Sequence, residues 1–337
     1  MPAVKPFRAV RYDEEAAGPL AALVAPPYDV ISPAERDEYR ARSPHNVVQL
    51  TLPDSEEEAA RLWREWLAAG VLVREEQPHV WELVQDYVGP DGIPRTRRGL
   101  VASLSPEPYE TGSVLPHERT HAGPKEGRLR LLRAVGAQLE PIFLLYDGPP
   151  PVSFGGEAEV EVEGTRLRRA TPVDVADFFA SRQLLIADGH HRYETALEAG
   201  LDIPVVLVST SDPGLTIFPT HRVAGRVGDV PATEIERPAG QLPGVVLYRD
   251  GRWFLLEGDG LDVEVVEAAG PEDVTYTPSR EDAEAAVDRG EAEAAFLVRP
   301  TPIDAVFERA RRGEVLPPKT TYFYPKLVSG LLFQPLD

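Results

Sequence analysis

The sequence predicts a mixed α/β (α+β) fold, and three observations predict it. Strand, helix and strand signals follow one another closely over residues 184–187, 190–199 and 204–209, the grammar of a sheet covered by helices. The longest apolar runs, at 142–146 and 204–208, have the length of strands. The 34 prolines and 27 glycines are spread along the chain, so they punctuate short elements and do not form one linker.

The elements follow in order. Residues 24–31 read VAPPYDVI, and two prolines bar them from a central strand, so they form an ordered loop or edge. Ser32-Pro33-Ala34-Glu35 is a helix start with a capping box. Residues 56–70 form a helix, with Leu62, Trp66 and Leu67 at helical spacing and Gly70 as its stop. Residues 80–88 and 98–104 read as strands joined by the turn Gly89-Pro90-Asp91-Gly92. A polar loop at 115–125 leads into a helix over about 125–135 carrying Arg128, Arg130 and Arg133.

Residues 141–146 form a strand, and Thr171-Pro172-Val173-Asp174 opens a helix ending near Ala180. The strand 184–187 runs straight into the helix 190–199, which Gly200 stops, and 204–209 is the next strand. Residues 245–248 and 253–256 pair around Asp250-Gly251. An acidic stretch covers 257–293, a strand 294–298, and Thr301-Pro302-Ile303-Asp304 caps a helix to about Arg312. Residues 316–326 form a rigid polar-aromatic loop, and 330–333 close a final strand.

Composition narrows the function. The 337 residues suffice for a large core and more than one domain. A formal net charge of −20 disfavours nucleic acid and anionic membranes as partners and is first of all a solubility device. The absence of cysteine excludes disulfides, a thiol nucleophile and every cysteine-held metal. The first residues lack a signal-peptide apolar region, and no apolar run reaches membrane-spanning length, so a cytoplasmic, soluble protein is expected.

The chemistry concentrates at Asp188-Gly189-His190-His191-Arg192. A strand ends, Asp188 can cap, Gly189 permits a tight turn, and a helix begins whose free N–H groups favour an anion. Arg192 adds a fork suited to phosphate or carboxylate, and the two histidines add proton carriers or ligands near neutral pH. The plain structural alternative is a capping Asp, a paired Arg and histidines divided between core and surface. In the loop after Pro116, His117, Glu118, Arg119 and Thr120 are suited to cover an anionic substrate, with Glu118 or His117 as base, or form an ordinary solvated loop. His117 and His121 have the spacing of a helical metal pair, but the surrounding prolines and glycine argue against that helix, and no dedicated metal site is expected.

Tyr28 and Asp29 follow two prolines that fix their backbone. Asp29 is a general base, a magnesium ligand, or a helper to the Ser32 cap. His221 and Arg222 offer another anion contact or pair on the surface. Lys319, Tyr322, Tyr324 and Lys326 suit a base ring and phosphates, or form a strap whose aromatics fill the core, Phe323 foremost. No Walker loop, GxGxxG turn or GxSxG elbow stands where its chemistry needs it.

APPYDVI (25–31), LPHERT (115–120), the 188–192 turn, FPTHR (218–222) and LPPKTTYFYPKLVSGLLF (316–333) resemble the family called domain of unknown function 1015, which supplies no established reaction. Residues 141–143, 185–192 and 203–206 are similar to the core of the ParB/sulfiredoxin superfamily, which includes partition proteins, sulfiredoxins and free-serine kinases. That resemblance implies a ParB/sulfiredoxin-like core over 136–225, elaborated by an N-terminal α/β region (1–135) and a strand-rich C-terminal region with a closing strap (226–337), packed as one unit. It implies that Gly189 and Arg192 hold phosphate, with Asp188, His190 and His191 around it. The function expected is a nucleotide-dependent phosphotransferase acting on a small hydroxyl-bearing metabolite such as serine, using Mg2+ with ATP or ADP. Asp29, Glu118, Asp188, His190 and His191 are the catalytic candidates. Gly189, Arg192, Lys319, Tyr322 and Lys326 would bind the nucleotide, and Tyr28, His117, Thr120, His221 and Arg222 the anionic substrate. The alternatives are a nucleotide- or metabolite-binding regulator without turnover, and a metal-dependent lyase or hydrolase.

Overall fold

In the computed structural model, which describes residues 2–118, 122–171 and 173–336 (backbone alone at 122–125), a nine-stranded sheet organises the chain. From one edge it runs Val114–Leu115, Leu184–Asp188, Ile142–Tyr146, Ile203–Ser209, Pro94–Ser105, Trp81–Val88, Thr165–Arg169 and Val160–Val162, while Ala3–Lys5 pairs with the end of Pro94–Ser105. Ile142–Tyr146 and Ile203–Ser209 run parallel, and the strands flanking this pair are antiparallel to it.

These central strands are buried throughout because both faces are covered. Alternate residues feed two cores. Phe143, Leu145, Leu185, Val206 and Val208 pack on one face with Trp63, Trp66 and the C-terminal segment. Ile142, Leu144, Ile186, Val205 and Leu207 pack on the other with Tyr193, Ala196 and Phe179 from the helices His190–Ala199 and Val175–Ala180.

A second, six-stranded antiparallel sheet runs Ala232–Ile235, Arg252–Leu256, Val246–Arg249, Ala294–Leu297, His221–Arg226 and Glu272–Thr277. The C-terminal segment then returns to the first sheet region. Tyr322–Tyr324 pairs with Thr216–Phe218, Ser329 bridges Ala25, Phe333 bridges Val10, and Gln334–Pro335 pairs with Ala137–Gln138.

The capping box at Ser32 and Glu35 forms as read, as does the pairing around Asp250-Gly251. Several boundaries differ. The strand expected at 98–104 begins at Pro94, because Arg95, Thr96 and Arg97 pair with Tyr87, Asp86 and Gln85 across the turn. The cap of Val175–Ala180 is Asp174, which accepts from the Asp177 N–H; Thr171 lies too far upstream to do so. Thr301 does not cap Ile303–Arg311, since its hydroxyl donates to the Thr320 carbonyl. The final strand is Gln334–Pro335, displaced from 330–333 because Gly330 turns at positive φ. Among the described residues no helix is long and apolar enough to cross a membrane.

Candidate functional site

The site grows from the end of the strand Leu184–Asp188. A register shift between Ile186 and Asp188 against Ile142–Tyr146 re-aims the chain just before the turn. Gly189 takes φ 95°, ψ 28° and is the N-cap of His190–Ala199. A Cβ there would lie 2.7 Å from Ile142 Cγ2 and 3.2 Å from Arg192 Cζ, so glycine is required twice over. Asp188 was expected to cap this helix and does not. Its carboxylate accepts instead from Lys326 Nζ at 2.7 Å and Arg192 Nη2 at 2.9 Å. Its N-cap is a glycine, which brings no side chain of its own to the opening N–H groups. Burial pushes the Asp188 carboxyl up, but the charges of Lys326 and Arg192 outweigh it and hold it down at about 2.

Arg192 is only 8% exposed and also donates to the Pro141 carbonyl at 2.5 Å. Burial opposes its charge, while Glu140, Asp188 and Asp29 more than restore it. Glu140, itself buried, accepts from the Tyr28 N–H at 3.0 Å and the Ser329 hydroxyl at 2.8 Å, tying the 25–31 loop to the C-terminal segment. The Arg128 guanidinium lies 3.5 Å over the Tyr28 ring. Asp29 is exposed, and its charge favours the charged forms of both Arg192 and Lys326. Lys326 is held above its ordinary range, because Asp188 outweighs the burial that would lower it.

Two histidines close the other side. The His117 Nδ1–H donates to the Ile186 carbonyl at 2.6 Å, so its Nε2 accepts from the Thr321 hydroxyl at 2.9 Å. The His117 backbone N–H donates to His190 Nε2 at 3.3 Å, and the two rings meet edge-on with centroids 4.8 Å apart. Burial lowers both side chains, His190 strongly, so both are neutral at pH 7. Glu118 Oε1 lies 3.9 Å from His117 Nε2, and Glu118 bridges Leu316. His191 is half-buried on the first turn of the helix.

Beside this cluster lies a cavity of about 530 Å³, lined by Ala25, Pro26, Tyr39, Arg42, Tyr322, Tyr324 and Lys326 among others. Lys326 joins cavity and cluster, its amine on Asp188 and 5.9 Å from the Tyr322 ring centre. The five sequence segments therefore converge. Segment 25–31 meets 316–333 at Ala25 and Ser329, 115–120 meets the turn at His190, and 218–222 meets the strap at Phe218 and Tyr322.

Residues 4–256 match the family model described as protein of unknown function (DUF1015). The chain belongs to this family. No curated protein matches it. Among solved structures it is similar to a free serine kinase in complex with AMP (21% identity, TM-score 0.40, covering 63% of this chain and 83% of that one). It is also similar to a C-terminally truncated SbnI from Staphylococcus aureus (13%, TM-score 0.43, 66% and 84%). A conserved hypothetical protein from Pyrococcus furiosus is a third (20%, TM-score 0.39, 65% and 92%).

The remaining candidates lie as follows. His221 is buried in the second sheet, where its Nδ1 accepts from the Val298 N–H at 3.1 Å and burial lowers it to about 4. Arg222 is buried too, so the pair does not sit on the surface. Its guanidinium donates to the Thr220 and Lys319 carbonyls and feels the charge of Glu118. The Lys319 side chain is exposed. Phe323 fills the core against Phe143 and His117. Arg119, Thr120 and His121 lie outside the described residues, so the His117–His121 pairing and the role of Thr120 do too. Among the described residues no group of three or more His, Asp or Glu side chains is placed to hold a metal. Magnesium arriving with phosphate needs only one or two protein carboxylates, and Asp29 and Asp188 flank the cluster.

Sequence reasoning missed Glu140, Thr321, Gln85 and Arg97. Nothing marks Glu140 or Gln85 in the sequence, and Thr321 lay inside the 316–333 segment without being singled out. Arg97 fell in the segment read as the connection between two strands.

Proposed function

We propose that the chain binds a nucleotide at the 188–192 turn and transfers its terminal phosphoryl group to the hydroxyl of a small metabolite such as serine. One observation carries the reading: a half-buried carboxylate, Asp188, clamped by Lys326 and Arg192 at a helix start whose N-cap is a glycine, beside a cavity lined by tyrosines. Two cations at the start of a helix are what a phosphate chain needs, and Asp188 occupies the position such an anion would take. An incoming phosphate displaces Asp188 from the clamp. Tyr322 and Tyr324 then offer ring faces for the base, and Lys326 lies between base and phosphate.

In the transfer, the acceptor oxygen forms a bond to the terminal phosphorus, and the bond from that phosphorus to the bridging oxygen breaks. The nucleotide leaves one phosphoryl group shorter, ADP from ATP or AMP from ADP, and the acceptor proton passes to a carboxylate. Asp188 is a weak base while clamped, since it is held at about 2, which leaves Glu118 and Asp29 as the better placed acceptors of that proton. Magnesium would neutralise phosphate charge, with Asp29 or the displaced Asp188 as its protein ligand. His117 spends both ring nitrogens on Ile186 and Thr321, so nothing in its geometry favours a metal-dependent lyase or hydrolase.

Phosphorus NMR of ATP, and separately of ADP, with magnesium, the protein and a panel of small alcohols led by serine tests the reading. A new phosphomonoester resonance is expected, growing with ADP from ATP or with AMP from ADP. Nucleotide binding without any phosphoester from the panel would favour the regulator that binds without turnover.

A further inference from the structure

The most unusual charge in the molecule is not at the turn. Arg97 is 0% exposed and, among the described residues, makes no ion pair with a carboxylate. Burying an arginine in this way is costly unless its N–H groups are all well used. Its Nε and Nη2 donate to Gln85 Oε1 at 3.1 and 2.6 Å, its Nη2 also to the Pro325 carbonyl at 2.7 Å, and its Nη1 to the Tyr324 carbonyl at 3.4 Å. The guanidinium sits 4.8 Å over the Phe143 ring, two residues along the strand from the Pro141 carbonyl that holds Arg192. Burial lowers it to about 10, so it remains charged at neutral pH.

We infer that Arg97 is a positioning residue, whose fork pins the Tyr324 and Pro325 carbonyls and so sets Lys326 on Asp188 and the two tyrosine rings along the cavity. The next residue after the pinned carbonyls is Lys326, which leaves the strap little freedom between the anchor and the amine. The anchor is rooted in the middle of the sheet, because Arg97 and Gln85 are direct cross-strand partners. Lysine cannot replace it: one ammonium cannot span an amide oxygen and two carbonyls in a plane. The relevance of this anchor to ligand binding rests on the phosphate-site reading above; the anchoring itself does not.

The chain has four lysines, Lys5, Lys125, Lys319 and Lys326, which makes amine labelling a clean test. Acetylation of the full-length protein, followed peptide by peptide in the mass spectrometer across pH, compares Lys326 with the exposed Lys319. In the wild type, Lys326 should react at least tenfold more slowly than Lys319 and titrate above the ordinary lysine range. Arg97→Met and Arg97→Lys should each speed Lys326 at least fivefold and bring its titration down, leaving Lys319 unchanged. Gln85→Met, which leaves Arg97 in place without its amide acceptor, should give about a twofold change in the same direction. It decides the matter, with Arg97→Lys, if Arg97→Met does not fold. Unchanged Lys326 protection and titration in folded variants would overturn the inference. No nucleotide enters the experiment, so a wild type that binds none would sink the phosphate-site reading and leave this result standing.

Discussion

Two carboxylates, Asp188 and Glu284, are each held by two cationic side chains, one in each sheet region, and they differ in what lies beside them. Glu284 accepts from Trp253 Nε1 and Arg280 Nε at 3.0 Å and from Arg237 Nη2 at 2.7 Å. Both its oxygens are engaged by groups of its own sheet region, so its network closes on itself. Asp188 has one cation per oxygen, and one of them, Lys326, also lines the large cavity. A closed network serves the fold. An open one leaves its carboxylate within reach of a competing anion, which is what the proposed phosphate site requires.

The largest effect expected from breaking this comparison is at Arg192. Arg192→Ala should weaken nucleotide binding at least a hundredfold by calorimetry, since it removes a charged fork at the turn, while Glu284→Gln should leave the affinity within a factor of two. The cost of Glu284→Gln should appear in chemical denaturation instead, as a loss of about 2–4 kcal/mol, because it breaks a buried charged network. Asp188→Asn sharpens the contrast: with the competing carboxylate neutralised, phosphate-bearing ligands should bind several-fold more tightly. An unchanged or weaker affinity in that variant would count against displacement.

Acid stability follows next. Asp188 is depressed to about 2, so its contribution is present above its unfolded range near 4 and is lost as pH falls through about 4 to 2. The buried histidines act earlier. His221 is depressed to about 4, so its neutral form stabilises the fold above about 6.5, and that contribution is lost as pH falls from about 6.5 to 4. His117 and His190 are shifted in the same direction. His221→Asn, which keeps an acceptor for the Val298 N–H, should flatten the fall in unfolding free energy between pH 6.5 and 4, read by chemical denaturation, by about 1–3 kcal/mol. The wild-type slope persisting in the variant would remove His221 from this account.

Gly189→Ala should cost about 1–3 kcal/mol, because the site needs positive φ and the added carbon meets Ile142 and Arg192. The smallest effect belongs to the rim of the second sheet. Arg226 and Glu272 are exposed partners there, and Glu272→Gln should leave the melting temperature unchanged.

Much of the central fold was legible because its signals are local. The apolar runs that become Ile142–Tyr146, Leu184–Asp188 and Ile203–Ser209 announce buried strands, and the Asp188–Arg192 turn announces its glycine and its helix. What was not legible depends on partners far away in sequence. Asp188 looked like a cap, because nothing local reveals that Lys326 reaches it from 138 residues on. Arg97 sits just before the strand read at 98–104, in a stretch that reads as a connection until the strap is laid over it. Alternation on His221–Arg226 was available as a signal: adjacent strand residues face opposite ways, and their partners differ accordingly, Val298 for His221 and the strap carbonyl of Lys319 for Arg222.

The measurement closest to the central claim is a calorimetric titration of ATP, ADP and CTP with magnesium into the wild type and Arg192→Ala. The account predicts one-to-one binding to the wild type and its loss in the variant. No binding to the wild type, or equal affinity in a folded Arg192→Ala, would contradict it.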